Sequence, residues 1–198
     1  MRPAFSALWH LDLAFADVVS SSSDPRLGAI RLAWWRERLE ELDRGVEAPA
    51  EPRLRAVANE LLNRQVGGEE LSRLEDAWLP LLDPFPWGEA QVAAMKLRGR
   101  LLFGIGARLL GVRDEEGGRA GAFWSLVDGA HHCSDADSRE ALLQSARAEL
   151  GQLTKRLPAA LRPLTVLAAL AAADLVREGS GLRRLSAAVR HRLSGRLA

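Results

Sequence analysis

The chain has 198 residues, 47% hydrophobic and 27% charged, with a formal net charge of +1. That is enough for one globular domain with a substantial core, and it gives no general pull toward nucleic acid. Cys133 is the one cysteine, which excludes an intrachain disulfide and a cysteine-based zinc knuckle and suits a reducing, cytoplasmic setting.

Apolar residues recur at helical spacing throughout, and no stretch alternates at period two, so the chain reads as all-α. A first helix covers about Phe5 to Val19; its Asp12 and Asp17 interrupt the apolar run that a secretory leader needs. The serines Ser20 to Ser23 end it. Ser23 or Asp24 caps a second helix, with Pro25 at its first position and Gly45 and Pro49 beyond its end. A third helix starts at Pro52 and stops at Gly67-Gly68. A fourth, Glu69 to Leu82, ends in the proline-broken "DPFPW".

The fifth helix, Glu89 to Leu110, contains Gly99, Gly104 and Gly106. Glycine costs helix stability, so close approach of a neighbouring helix is the expected reason for all three. A sixth helix covers Ala120 to Cys133 and a seventh Ser138 to Leu157. An eighth follows Pro158 or Pro163 to Arg177; its Ala-rich "LTVLAALAAADLV" is too short to span a bilayer. The last helix, Leu182 to Leu197, is basic and amphipathic. No repeat or long linker divides the chain, which reads as a single-domain helical bundle over 1–198.

The second helix raises a question of its own. In "SDPRLGAIRLAWWRERLEEL" Leu32, Trp35, Leu39 and Leu42 share one face, while Leu27, Ile30 and Trp34 occupy a nearly opposite one. A helix apolar on two sides belongs inside a bundle. Either both tryptophans are core, or one of them lines a cavity for an apolar ligand.

The same residues carry a resemblance. "DPRLGAIRLAWWRERLEEL" resembles the "IRLxWWRExL" stretch of the squalene/phytoene synthase family, which has the isoprenoid-synthase fold. "ALWHLDLAFADVV" is similar to that family's first long helix, "LRGRLLFGIGARLLG" to its central helix and "LPAALRPLTVLAALAAADLVREG" to its late segment, in the family's order over most of the chain. The resemblance implies a shortened bundle with a central cavity, holding Mg²⁺ between aspartates on two helices. The two motifs do not survive in this chain. The first places its three acids at Ala16, Asp17 and Ser20 and its arginine at Leu13. The second, over Ser125 to Ala136, has Asp128 for asparagine, His131 for arginine, and His132 and Ala136 for the two aspartates. No tyrosine is present. Magnesium needs converging hard oxygen ligands, so no metal site and no cofactor are expected.

The residues that remain are still candidates for a site. Asp12 lies at the edge of an apolar face and requires a partner if buried: an arginine such as Arg31 or Arg98, or a polar ligand in a remnant cavity. Trp124, Asp128, His131 and Asp135 fall on one face of the sixth helix, where Asp128 and His131 read first as a hydrogen-bonded or packed pair. Catalytic candidates are therefore Asp12, Asp17, Asp128 and His131, and a ligand pocket would draw on Trp9, Trp34, Trp35, Trp124 and Arg31.

In the last helix Leu182, Leu185, Val189 and Leu193 form an apolar stripe among arginines, expected to pack on the bundle or to lie on an anionic membrane through residues 179–198. The family resemblance implies a non-catalytic, lipid- or prenyl-binding or assembly-type protein, cytoplasmic and peripheral to a membrane, with a prenyl lipid or a protein as partner. Its rival is an active prenyl diphosphate transferase that uses Mg²⁺ and a rearranged acid set of Asp12, Asp17, Asp128 and Asp135.

Overall fold

The computed structural model describes residues 1–154, 156–176 and 181–197, and every regular element among them is helical. The sequence reads as one domain; its internal contacts divide into two compact units, Met1–Pro84 and Phe85–Ala198.

The first unit contains α1 (Arg2–Ser21), α2 (Pro25–Asp43), α3 (Pro52–Glu60), α4 (Gly68–Ser72) and α5 (Leu74–Trp78). On α1, Ala4, Leu8, Leu11, Phe15 and Val18 form one buried stripe at helical spacing. Asp24 caps α2 by accepting from the Arg26 amide at 2.8 Å, ahead of Pro25. At the other end of α2, Asp43 accepts from the amides of Gly68 and Glu69, both at 2.7 Å, and so satisfies the free N–H groups that open α4.

Two expected helices are shorter than their periodicity implies. The third ends at Glu60 and gives way to a 3-10 turn at Leu62–Arg64, followed by Gln65 at φ +60°. The fourth is broken into α4, α5 and a 3-10 turn over Leu79–Leu82; Pro80, with no amide to continue an α-helical ladder, accounts for the last of these changes.

On α2 the face of Leu32, Trp35, Leu39 and Leu42 is buried as its spacing requires. The opposite face is not. Leu27, Ile30 and Trp34 are 59%, 66% and 40% exposed, which corrects the expectation of a helix enclosed on both sides. Phe15 of α1 meets the Trp35 ring at 6.0 Å and α4 approaches the Leu39 carbonyl, so these neighbours cover the Trp35 side.

The second unit contains α6 (Glu89–Leu109), α7 (Glu115–His132), α8 (Ala136–Gln152), α9 (Arg162–Val176) and α10 (Gly181–Ser194). Helix α7 is its centre and packs against α6, α8 and α9. It begins five residues before the expected Ala120, at Glu115, since Asp114 accepts from the Glu116 amide at 2.8 Å and sets the cap. Small residues make this central position attainable. A Cβ on Gly99 of α6 would collide with the Gly121 carbonyl of α7, and one on Gly121 with the Gly99 carbonyl. The expected close approach therefore holds at Gly99. It does not hold at Gly104, where an added Cβ would meet nothing within 4 Å.

Helix α8 ends at Gln152 instead of Leu157. The end of the eighth helix expected at Arg177 lies outside the described residues. Helix α10 packs on α9, but through Ala187 and His191. His191 is fully buried, with Nε2 2.9 Å from Thr165 Oγ1 and Nδ1 3.0 Å from the Arg196 carbonyl. Burial holds its pKa below the ordinary 6.5, and the Arg162 cation adds to that lowering while the Arg196 carbonyl opposes it. The neutral ring donates from Nδ1 to that carbonyl and accepts the Thr165 hydroxyl proton at Nε2. The Arg162 guanidinium donates to the carbonyls of Arg192 and Leu193, each at 3.1 Å, capping α10 with a cation at the end where its dipole is negative.

The two glycines of α6 are expected to respond oppositely to the same change. Gly99→Ala forces backbone against backbone and should cost at least about 2–3 kcal/mol. Gly104→Ala meets open space and should stabilise the helix by about 0.5–1 kcal/mol. Chemical denaturation midpoints of the two variants provide the comparison.

Candidate functional site

The acidic and aromatic candidates sort by unit. Asp12, Asp17, Trp9, Trp34, Trp35 and Arg31 belong to the first, while Trp124, Asp128 and His131 belong to the second.

In the first unit the carboxylates are held by protein donors. Asp12 is 1% exposed, and the indole N–H of Trp78 donates to its Oδ1 at 2.9 Å. A carboxylate without water costs several kcal/mol unless donors meet it, and Trp78 at the end of α5 is such a donor. Arg31, one of the two arginines expected beside Asp12, instead donates to the hydroxyls of Ser21 and Ser22 at 3.1 and 3.3 Å. Asp17 stands exposed near the end of α1 and accepts from Arg53 of α3 at 2.7 Å. Trp35 is buried and Trp34 half-exposed, their rings edge to face at 5.3 Å. Trp9 is partly buried on α1.

The second unit gathers a more connected set around α7. Arg98 of α6 is 5% exposed and donates to Asp128 Oδ2 at 2.7 Å, with the Ser125 hydroxyl 3.5 Å away. Its guanidinium also lies 5.0 Å from the centre of the Trp124 ring, which stacks on Phe103 at 5.4 Å. The planar cation thus meets both an anion and an aromatic face, two surfaces that arginine satisfies at once.

Asp128 accepts from Arg98, with His132 Nδ1 3.9 Å from its Oδ1, while His131 lines the same pocket as Asp128. The neighbouring His132 donates from Nδ1 to the Asp128 carbonyl at 2.8 Å. Asp135 is not on this face. Helix α7 stops at His132, and Asp135 caps α8 by accepting from the Ser138 amide at 2.8 Å. The side-chain and backbone hydrogen bonds from Ser138 hold its pKa below the ordinary carboxylate value.

Trp124, Asp128 and His131 do share a pocket, as their spacing on one face predicts. Asp174 of α9 and Arg184 of α10 complete its polar lining, over an apolar wall that includes Val127 and Leu167. Asp174 was not among the sequence candidates. The signal for it is a single acid inside the Ala-rich run of α9, where a charge needs a reason. Its side chain is 10% exposed, with Arg184 Nε 3.8 Å from Oδ1. The pocket encloses about 90 Å³, well below the roughly 300–1,000 Å³ of a small-molecule site. It has room for a few waters, not for a prenyl chain.

Among the described residues no three His, Cys, Asp or Glu side chains form a group that could hold a metal ion. No family model matches the chain, and no curated protein or solved structure does.

If Asp12 is a structural acceptor, Trp78→Phe should destabilise the chain by about 1–3 kcal/mol, because it removes an indole donor from a buried carboxylate and keeps most of the ring volume. Asp17→Asn, at an exposed ion pair, should change stability by less than about 1 kcal/mol. Thermal melts of both variants measure the difference.

Proposed function

We propose that the chain is a squalene/phytoene-synthase-like helical protein without prenyl transferase activity, acting as a lipid- or prenyl-binding or assembly-type protein. The observation that carries this reading is the state of its acids. Where the family motifs would place magnesium ligands, Ala16, Ser20, His132 and Ala136 stand instead. The aspartates that remain are engaged by Trp78, Arg53 and Arg98.

Departure of a diphosphate leaves concentrated negative charge that cations must neutralise as it develops. A carboxylate already paired with an arginine is a poor magnesium ligand, since binding the ion means giving up that pair. This favours the non-catalytic reading over the rearranged-acid alternative of Asp12, Asp17, Asp128 and Asp135.

Binding rather than catalysis also suits the surface of α2. Leu27, Ile30 and Trp34 present an exposed apolar stripe, and contiguous apolar surface of this kind marks interaction sites in soluble proteins. The "IRLAWWRERL" segment that carries the family resemblance thus contributes one buried face to the fold and one open face to a partner or lipid.

Incubation of the full chain with farnesyl or geranylgeranyl diphosphate and Mg²⁺ tests the proposal. The expected result is no diphosphate release above background. Turnover that Asp17→Ala abolishes would overturn it in favour of the transferase.

A further inference from the structure

We infer that α10 is a membrane-surface helix that seats the chain on an anionic phospholipid bilayer. The inference stands on the geometry of α9 and α10 and does not depend on the family resemblance.

The apolar stripe of α10 was expected to pack inward or to meet a membrane; Gly179, Ser180 and Ala198 of the 179–198 segment lie outside the described residues. The structure turns the stripe outward. Leu182, Leu185, Val189 and Leu193 are 81%, 62%, 50% and 76% exposed. At 100° per residue they span an arc of about 80°, opposite the Ala187 and His191 side that is buried against α9.

The orientation is held by specific bonds. His191 is locked between Thr165 and the Arg196 carbonyl, Arg162 grips the last carbonyls of the helix, and the Leu157 amide donates to the Gly195 carbonyl at 2.9 Å. Turning the stripe inward would break all of them and bury arginines in place of Ala187. The outward face is therefore the resting arrangement of this helix.

Charge identifies the occupant. Residues 181–198 include Arg183, Arg184, Arg190, Arg192 and Arg196 and no Asp or Glu. By helical position Arg183 and Arg190 flank the stripe on one side and Arg192 on the other, and all three are exposed. An apolar strip with cations along both edges complements an anionic bilayer, where leucines enter the acyl boundary and guanidinium groups meet phosphates. Arg183, Ser186 and Arg190 also line a groove of about 340 Å³ against Ala172 and Ala173 of α9. It offers one lipid phosphate two guanidinium forks. Among the described residues no helix is long and apolar enough to cross a membrane, so α10 would lie along the surface.

Co-flotation of the full chain with phosphatidylcholine vesicles, with and without phosphatidylglycerol, tests this. Binding is expected only with the anionic lipid, and added salt should weaken it. Arg183→Gln, Arg190→Gln and Arg192→Gln together should weaken binding roughly a hundredfold, at about fivefold per arginine. Leu185→Ser, Val189→Ser and Leu193→Ser together should weaken it more than about tenfold. Because all six side chains are exposed, both variants should melt with the unaltered chain, and that measurement separates lost docking from lost folding. Equal flotation with neutral vesicles, no flotation with either, or unchanged binding by either variant would overturn the inference. So would concentration-dependent self-association that the serine variant abolishes in the absence of vesicle binding, since the stripe would then belong to a second copy of the chain.

Discussion

A carboxylate removed from water must be met by a donor or a cation, and this chain supplies both from its own side chains. Asp12, at 1% exposure, takes the indole N–H of Trp78. In the second unit the buried member is the cation: Arg98, 5% exposed, is met by the part-exposed Asp128. Each pairing ties two helices together, α1 to α5 in the first unit and α6 to α7 in the second. Removing Trp78 takes a donor from a buried carboxylate, and removing Asp128 takes an anion from a buried guanidinium; either loss costs more than the pair contributes. The acids a metal would need are thereby engaged in holding the helices.

The arrangement around Arg98 depends in turn on how closely α6 and α7 approach. Gly99 and Gly121 let the two backbones touch, and Arg98, next to Gly99, is carried to Asp128 and Trp124 on α7. A wider crossing would separate the guanidinium from both. The central place of α7 among α6, α8 and α9 then leaves Trp124, Asp128 and His131 facing α9, where Asp174 and Arg184 close a pocket too small for a prenyl chain. Packing of small residues thus sets the charge pairing at Arg98 and the backbone contact beside it.

Much of this was legible in the sequence, and the rest fails for definable reasons. Helical periodicity gave the all-α class, and Asp24-Pro25 marked the start of α2 to the residue. The face of Trp124, Asp128 and His131 followed from spacing alone. Periodicity reports which residues share a face and not whether another element arrives to cover it. That is why the Leu27, Ile30 and Trp34 face of α2 and the apolar stripe of α10 came out exposed, while the buried side of α10 is a small alanine and a histidine. Spacing is equally silent on partners across helices, so Arg98 as the donor to Asp128 had no local signal. Trp78 as the donor to Asp12 lies sixty-six positions away, beyond any local pattern.

The proposed reading joins these observations to the "IRLAWWRERL" resemblance: a synthase-like bundle whose acids have become structural. Calorimetric titration of Mg²⁺ into the full chain, with inorganic pyrophosphate present, addresses it most directly. The account predicts no saturable heat beyond that of Mg²⁺ with pyrophosphate alone. Saturable uptake of several ions per chain, lost in Asp17→Ala or Asp128→Asn, would contradict it.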